Sequence, residues 1–310
     1  MSEANEKASL SPKESKINFF KRFICNIIGC LSLLYISLNT IILFSPLFIL
    51  SLIKLIPFIP VQRICTKLII VIATRWIHNN TFLFKRILRV GVNVKGDFNL
   101  TMKDWYFVIS NHQSWSDIII LQMIFTGKIP LLKFFLKQEL IWVPLLGIAW
   151  WALDFPFMKR YSSEFIEKNP HLKGKDIEIT KKACEKFNLT PVSVMNFVEG
   201  TRFTEAKHKR QKSPYNNLLK PKAGGVGFVF TAMGRIIKSI LNVTIKYKES
   251  DLNFWHFLCG RITEVDFLIE RINMTDELIG DYISDPKYQT EFKKWVNELW
   301  EKKDDVFEKM

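Results

Sequence analysis

Thirty consecutive residues without a charge, Ile24 to Ile53, limit what this chain can become more than any other feature. A membrane-crossing helix needs roughly 20 such residues, so the run passes that threshold. A cleaved signal peptide has a shorter apolar core, of about 7–15 residues, so the run reads as retained. As one helix it would measure about 45 Å against a hydrocarbon core of about 30 Å. Tilt would absorb the excess, as would a break near Ser45-Pro46, where the proline ring removes a backbone donor. Lys16, Lys21 and Arg22 precede the run and Lys54, Arg63 and Lys67 follow it. Basic residues at both ends fix no orientation, the pattern of a re-entrant hairpin with both ends on one side. The reading is a polar tail over 1–23 and a membrane anchor over 24–55, either spanning or re-entrant.

The remainder has the makings of a folded domain. Lys and Arg number 44 against 30 Asp and Glu, a net charge of +14, which favours nucleic acid, an acidic lipid surface or a phosphorylated substrate. Five cysteines are scattered with no CxxC pair, so neither a disulfide scaffold nor a zinc site is indicated. Trp105–Ser110 is a short β-prone run ending at Asn111, and Asp117–Phe125 follows with helical spacing. Lys175–Asn188 reads as a charged amphipathic helix, Val192–Val198 as a buried strand, Ala223–Met233 as a helix and Ile240–Tyr247 as a strand. This alternation predicts an α/β sheet with helices on its faces, placed over 56–275. A helical extension over 276–310 carries Tyr288, Phe292, Trp295 and Leu299 on one face, for docking onto the domain.

Several sites are excluded: there is no GxSxG elbow, no GxxxxGK[ST] loop and no HExxH. The Gly224–Gly227 cluster fails as a dinucleotide fingerprint because Phe230 stands where the third glycine belongs. Asn111 to Asp117 reads NHQSWSD. On a regular helix residues five apart diverge by about 140°, so His112 meets Asp117 only if it lies in the turn before the helix. Held there, an imidazole is oriented and its protonated form stabilised, with Ser116 or Ser114 as the helix N-cap. A second cluster, Phe197-Val198-Glu199-Gly200-Thr201-Arg202, follows a predicted strand, where α/β folds place ligand sites. Gly200 allows a tight turn and Arg202 offers a bidentate fork for phosphate. From Glu199 to Lys222 seven Lys or Arg face two Glu; the Lys207–Lys212 part reads as a solvated basic loop.

At these residues the chain resembles the membrane-bound glycerolipid acyltransferases, the PlsC-like lysophosphatidic acid acyltransferase family. The likeness lies in the NHxxxxD block at Asn111–Asp117 and the FxEGTR block at Phe197–Arg202, in order and about 80 residues apart. Gly147–Arg160 and the stretch Lys222–Gly225 match more weakly. The stretches FLKQEL, WVPLLG, DFPFMKRYS and NFVEGTRFT are similar to the YihG-type bacterial inner-membrane members, and the resemblance covers roughly residues 60–305. Departures are Phe203 where many members carry Ser, Lys159 where Asp or Asn is frequent, and no proline in Ile240–Tyr247. The resemblance implies a mixed central sheet flanked by helices, and acyl transfer from a thioester to the free hydroxyl of a lysophospholipid. The implied acceptor is 1-acyl-sn-glycerol-3-phosphate, or a lysolipid with another head group. His112 would be the base and Asp117 its orienting partner. Arg160 and Arg202 would hold the acceptor phosphate, with Glu199, Gly200, Thr201 and Lys222 shaping that subsite. Acyl-CoA or acyl carrier protein would be co-substrate, with no metal or other cofactor. The implied setting is a bilayer, the bacterial inner membrane with the site facing the cytoplasm, or the endoplasmic reticulum in a eukaryote. A lipid hydrolase is disfavoured because no nucleophile motif accompanies the histidine. A membrane-anchored nucleic-acid binder is disfavoured because no RNA or DNA motif accompanies the charge.

Overall fold

The computed structural model describes residues 12–158, 187 and 190–310. Arg160 and nearly all of the Lys175–Asn188 segment lie outside the described residues. Helix α1 spans Pro12–Ile53 and α2 spans Ile59–Phe82. Strands β1 (Gly91–Gly96) and β2 (Tyr106–Ser110) follow, then α3 (Ser116–Phe125), β3 (Leu132–Phe134) and β4 (Leu136–Lys137). Next come α4 (Leu146–Ala152), β5 (Phe157–Met158), β6 (Ser193–Phe197), α5 (Glu205–Gln211) and α6 (Ala223–Met233). The chain closes with β7 (Ser239–Tyr247), α7 (Phe254–Leu258), β8 (Glu264–Asn273) and α8 (Pro286–Lys309).

Six strands form one sheet in the order β1-β8-β7-β2-β6-β3. β7 and β8 are antiparallel and every other pair is parallel, so the sheet is mixed. Every residue of β2 is buried, as expected of a central strand covered on both faces. Its alternate side chains serve two cores: Tyr106 and Val108 pack with α3, α7 and β8, while Phe107 and Ile109 pack with α6 and α8. The predicted aromatic face of the C-terminal helix docks on the second core, with Phe292 and Trp295 against Phe230 at 5.3 and 6.1 Å between centroids. Burying a large apolar side chain contributes about 1.5–3 kcal/mol, so Phe292, Val296 and the fully buried Trp300 fasten this helix firmly. Five of the described strands escaped the sequence reading: the short β3, β4 and β5, and the longer β1 and β8. β1 is a half-exposed edge, and β8 interleaves inward Val265, Phe267 and Ile269 with charges.

The apolar run is one uninterrupted helix that passes through Pro46, so the break anticipated at Ser45-Pro46 does not occur. The chain reverses instead at 54–58, and α2 returns along α1. A polar layer joins the two helices. Asn39 Nδ2 donates to Trp76 O and Asn80 Oδ1, Asn79 Nδ2 donates to Asn39 Oδ1, and Trp76 Nε1 donates to Thr40 Oγ1, at 2.8–3.2 Å. Apolar residues 20, 24, 27, 31, 34, 38, 41, 49 and 52 of α1 are exposed along one stripe, while Cys25, Ser32, Asn39 and Ser51 face inward. The domain touches α1 at Asn26 and the chain just past its C-terminal end at Lys54. Trp255 Nε1 donates to Asn26 Oδ1 at 3.2 Å, and Lys54 Nζ donates to Ala152 O and Asp154 Oδ2 at 2.9 and 2.8 Å.

Candidate active site

β2 and β6 end side by side, with Ser110 in register with Phe197, so the turns that follow them lie together. The turn after β2 is anchored by Asn111, whose amide bridges the β7 backbone: Nδ2 donates to Ile245 O and Oδ1 accepts from Ile245 N, both at 2.9 Å. His112 therefore stands before α3, and Asp117, fully buried, lies in the helix's first turn. Their contact is 2.8 Å between His112 Nδ1 and Asp117 Oδ2. An ionised carboxylate only accepts, so in the neutral imidazole Nδ1 carries the proton and Nε2 the lone pair. The same Oδ2 accepts from the backbone N–H of Gln113 at 2.7 Å and of Ser114 at 3.0 Å. Oδ1 accepts from the hydroxyl of Tyr247 at 2.6 Å. Neither Ser114 nor Ser116 is the N-cap: Trp115 holds that position without a side-chain cap, and Asp117 instead binds the amides of the turn that precedes it. The imidazole stacks on Phe197, centroids 3.9 Å apart and planes at 11°.

The turn after β6 is tied to the first by Phe203 N, which donates to His112 O at 2.7 Å. Gly200 has φ +69°, and a Cβ there would meet Lys222 Cδ at 3.0 Å; the glycine admits both the left-handed backbone and the lysine stem. Lys222 N in turn donates to Val198 O at 2.7 Å. Arg202 makes no ion pair with Glu199 and lies instead over Trp115, its Cζ 4.4 Å from the ring centroid. The Lys207–Lys212 segment is not a solvated loop. It belongs to α5, and Lys207 Nζ donates to Thr201 Oγ1 and Arg202 O, each at 2.8 Å. A cavity of about 480 Å³ opens here, with Gln113, Arg202, Lys207, Tyr247 and Glu249 in its wall. Two larger hollows, beside α6 and beside α8, contain none of the motif residues.

Glu199 is fully buried and no donor reaches either carboxylate oxygen in hydrogen-bonding geometry. Burial pushes its carboxyl up to about 8, against the opposing pull of the Leu219 and His112 amides and of Lys303. Lys303, reaching in from α8, is also fully buried. Its Nζ donates to Val243 O and, at 3.3 Å, to Thr244 Oγ1, and burial pushes its amine down to about 7 despite Glu270 and Glu199 nearby. Between 4.5 and about 8 the folded chain holds a proton on Glu199 that the unfolded chain releases, so stability falls as pH rises. Between about 7 and 10.5 the unfolded chain holds a proton on Lys303 that the folded chain lacks, so stability rises with pH. Urea denaturation of wild type and Lys303→Met across that upper range is expected to show wild type gaining on the variant with pH. A pH-independent difference would contradict the buried amine.

The structure thus brings His112, Asp117, Glu199, Gly200, Thr201, Arg202 and Lys222 together, while Arg160 lies outside the described residues. Sequence reasoning did not find Tyr247, Trp115, Lys207 or Lys303. Trp115 lay inside the NHQSWSD block and Lys207 in the basic run just after the second block, while Tyr247 and Lys303 approach from elements whose packing no local pattern announces.

A profile of the Acyltransferase family matches residues 91–245, half of the chain and both motif blocks. The chain belongs to the Acyltransferase family. Among its relatives, mouse 1-acyl-sn-glycerol-3-phosphate acyltransferase epsilon is 24% identical over 72% of this chain and 62% of its own length. The probable 1-acyl-sn-glycerol-3-phosphate acyltransferase 5 of Arabidopsis thaliana is 26% identical over 74% of this chain and 60% of its own. The chain thus spans about 60% of the length of these curated relatives. In fold it is similar to the crystal structure of the 1-acyl-sn-glycerophosphate (LPA) acyltransferase PlsC from Thermotoga maritima. The TM-score is 0.51 at 17% identity, covering 92% of this chain and 98% of the other.

Proposed function

We propose that this chain transfers a fatty acyl group from a thioester to the free hydroxyl of 1-acyl-sn-glycerol-3-phosphate. The observation that carries the reading is the His112–Asp117 contact, which leaves His112 Nε2 as an acceptor beside a turn bearing Arg202. His112 Nε2 takes the proton as the hydroxyl oxygen attacks the thioester carbonyl; the C–O bond forms, the C–S bond breaks, and the proton passes to the departing thiolate. Asp117 orients the ring and offsets the positive charge it acquires. Arg202 reads the acceptor phosphate, on a turn shaped by Glu199, Gly200 and Thr201 and packed by Lys222; Arg160 is a second phosphate contact on the family likeness. The acceptor is taken from the names of the relatives, and the donor is acyl-CoA or acyl carrier protein. The test is a panel of lysophospholipids against both donors, with products read by mass spectrometry. Phosphatidic acid is expected as the main product. Faster acylation of a lysolipid with a larger head group would overturn the acceptor and leave the reaction class.

The same reading places the chain on a bilayer. One helix among the described residues, Phe20–Ile53, is long and apolar enough to cross it. Asn26 and Lys54 both touch the domain, and at 1.5 Å per residue these contacts are about 42 Å apart along the helix, against an apolar core of about 30 Å. An upright α1 would force the domain through the membrane. The arrangement that keeps the domain in water lays α1 along one leaflet, its exposed apolar stripe down. The protein is expected to sediment with membranes after mild lysis. In a chain whose five native cysteines are serine, Lys21→Cys and Arg63→Cys are both expected to react with an impermeant maleimide from one side of sealed vesicles. Labelling of only one would favour a spanning helix.

A further inference from the structure

Trp115 is 55% exposed, although the residues on either side of it, Ser114 and Ser116, are buried. What occupies one face of its indole is the guanidinium of Arg202. The two backbones are fixed independently of that contact: Lys207 holds Arg202 O, and Phe203 N holds His112 O. Among the described residues the Arg202 guanidinium makes no hydrogen bond and no ion pair. The indole, 4.4 Å from its Cζ, is thus the contact that restrains it there, and its N–H donors stay unspent. A guanidinium lying flat on a ring presents those donors edge-on, the geometry that two phosphate oxygens accept. Arg202 lines the cavity together with Gln113, the neighbour of His112, and Lys207.

We propose that Trp115 is a positioning residue for the acceptor: by stacking on Arg202 it holds the guanidinium fork toward the lysolipid phosphate, and so governs acceptor affinity without touching the reacting atoms. This rests on the reading of Arg202 given above. Trp115 and Arg202 belong to the two separate motif blocks, and their stack joins the base-bearing turn to the phosphate-bearing turn. The contact also requires arginine: a lysine ammonium there would lack both the planar face and the fork.

The experiment measures KM for lysophosphatidic acid, KM for the acyl thioester and kcat in mixed micelles, using the full chain. A cation–π contact at an exposed site corresponds to about a two- to fivefold change in affinity. Trp115→Ala is expected to raise the acceptor KM by that factor, with donor KM and kcat unchanged within error. Trp115→Phe, which keeps a ring under the guanidinium, is expected to restore most of the loss and guards against misfolding of the alanine variant. In an Arg202→Lys background, itself raised in acceptor KM, the further change Trp115→Ala is expected to have almost no effect. An equal factor in both backgrounds would mean that Trp115 acts without Arg202, and would overturn the proposal. Equal rises in acceptor and donor KM would do the same. A wild-type enzyme that acylates no lysophosphatidic acid would overturn the parent reading with it, whereas an active wild type and an unmoved acceptor KM in Trp115→Ala overturn this inference alone.

Discussion

His112→Ala is expected to lower turnover by about 10²–10⁴-fold, the range that general-base catalysis supplies, while the protein stays folded and membrane-associated. The fold tolerates the change because the His112 turn is held by other groups. Asn111 is fastened to Ile245, Phe203 N to His112 O, and Asp117 keeps the amides of Gln113 and Ser114 and the hydroxyl of Tyr247. The imidazole itself is partly exposed and adds its contact to Phe197. Rates in membranes with a saturating thioester donor, beside thermal unfolding of the same preparation, check this. Wild-type-like turnover in a folded variant would remove His112 from the mechanism.

Asp117→Asn separates the charge of the carboxylate from its geometry. The substituted amide would fit if its oxygen faced the three donors that Oδ2 now serves, from His112, Gln113 and Ser114. Its nitrogen would then donate to Tyr247, whose hydroxyl can turn to accept. The fold is therefore expected to survive with a small loss of stability, while turnover drops by about 10²–10⁴-fold because the imidazolium loses its counter-charge. Asp117→Ala would leave buried donors without an acceptor, at about 1–3 kcal/mol for each one stranded. The two variants are thus expected to be similarly inactive but unequal in unfolding temperature. Activity within a few-fold of wild type in Asp117→Asn would show that the carboxylate holds the turn together without assisting the base.

The core of the fold was legible because its elements carry local signals. β2 is a largely apolar run, β6 sits in the mostly apolar stretch Val192–Val198, and α8 shows an aromatic stripe. β8 carries a readable alternation of Val265, Phe267 and Ile269 with charged residues but was passed over, and β1 was missed because an edge strand needs little apolar character. The break at Pro46, offered beside tilt as a way to absorb the excess length, does not occur for a different reason. A proline removes one helical hydrogen bond, but polar pairing between α1 and α2 holds the long helix from Tyr35 to Asn39 and Thr40, and Lys54 fixes its end. At the site, the spacing of His112 and Asp117 carried its own geometry, since residues five apart meet only across a turn. Tyr247 and Lys303 act from a strand end and a helix far away in sequence, and Lys207 folds back from α5 onto the turn just before it, so only their packing reveals them. The pairing of Arg202 with Trp115 rather than Glu199 was likewise invisible, because it depends on how two separate turns are set against each other.

The central claim is acyl transfer to a lysolipid hydroxyl with His112 as base. Its most direct test incubates the full-length protein in membranes with 1-acyl-sn-glycerol-3-phosphate and a long-chain acyl thioester, following ester product and released thiol together. The account predicts one phosphatidic acid per thiol released, with both signals falling by about 10²–10⁴-fold in His112→Ala. Thiol release without ester would mean hydrolysis by water, and unchanged ester formation in His112→Ala would mean that another group is the base; either result would contradict it.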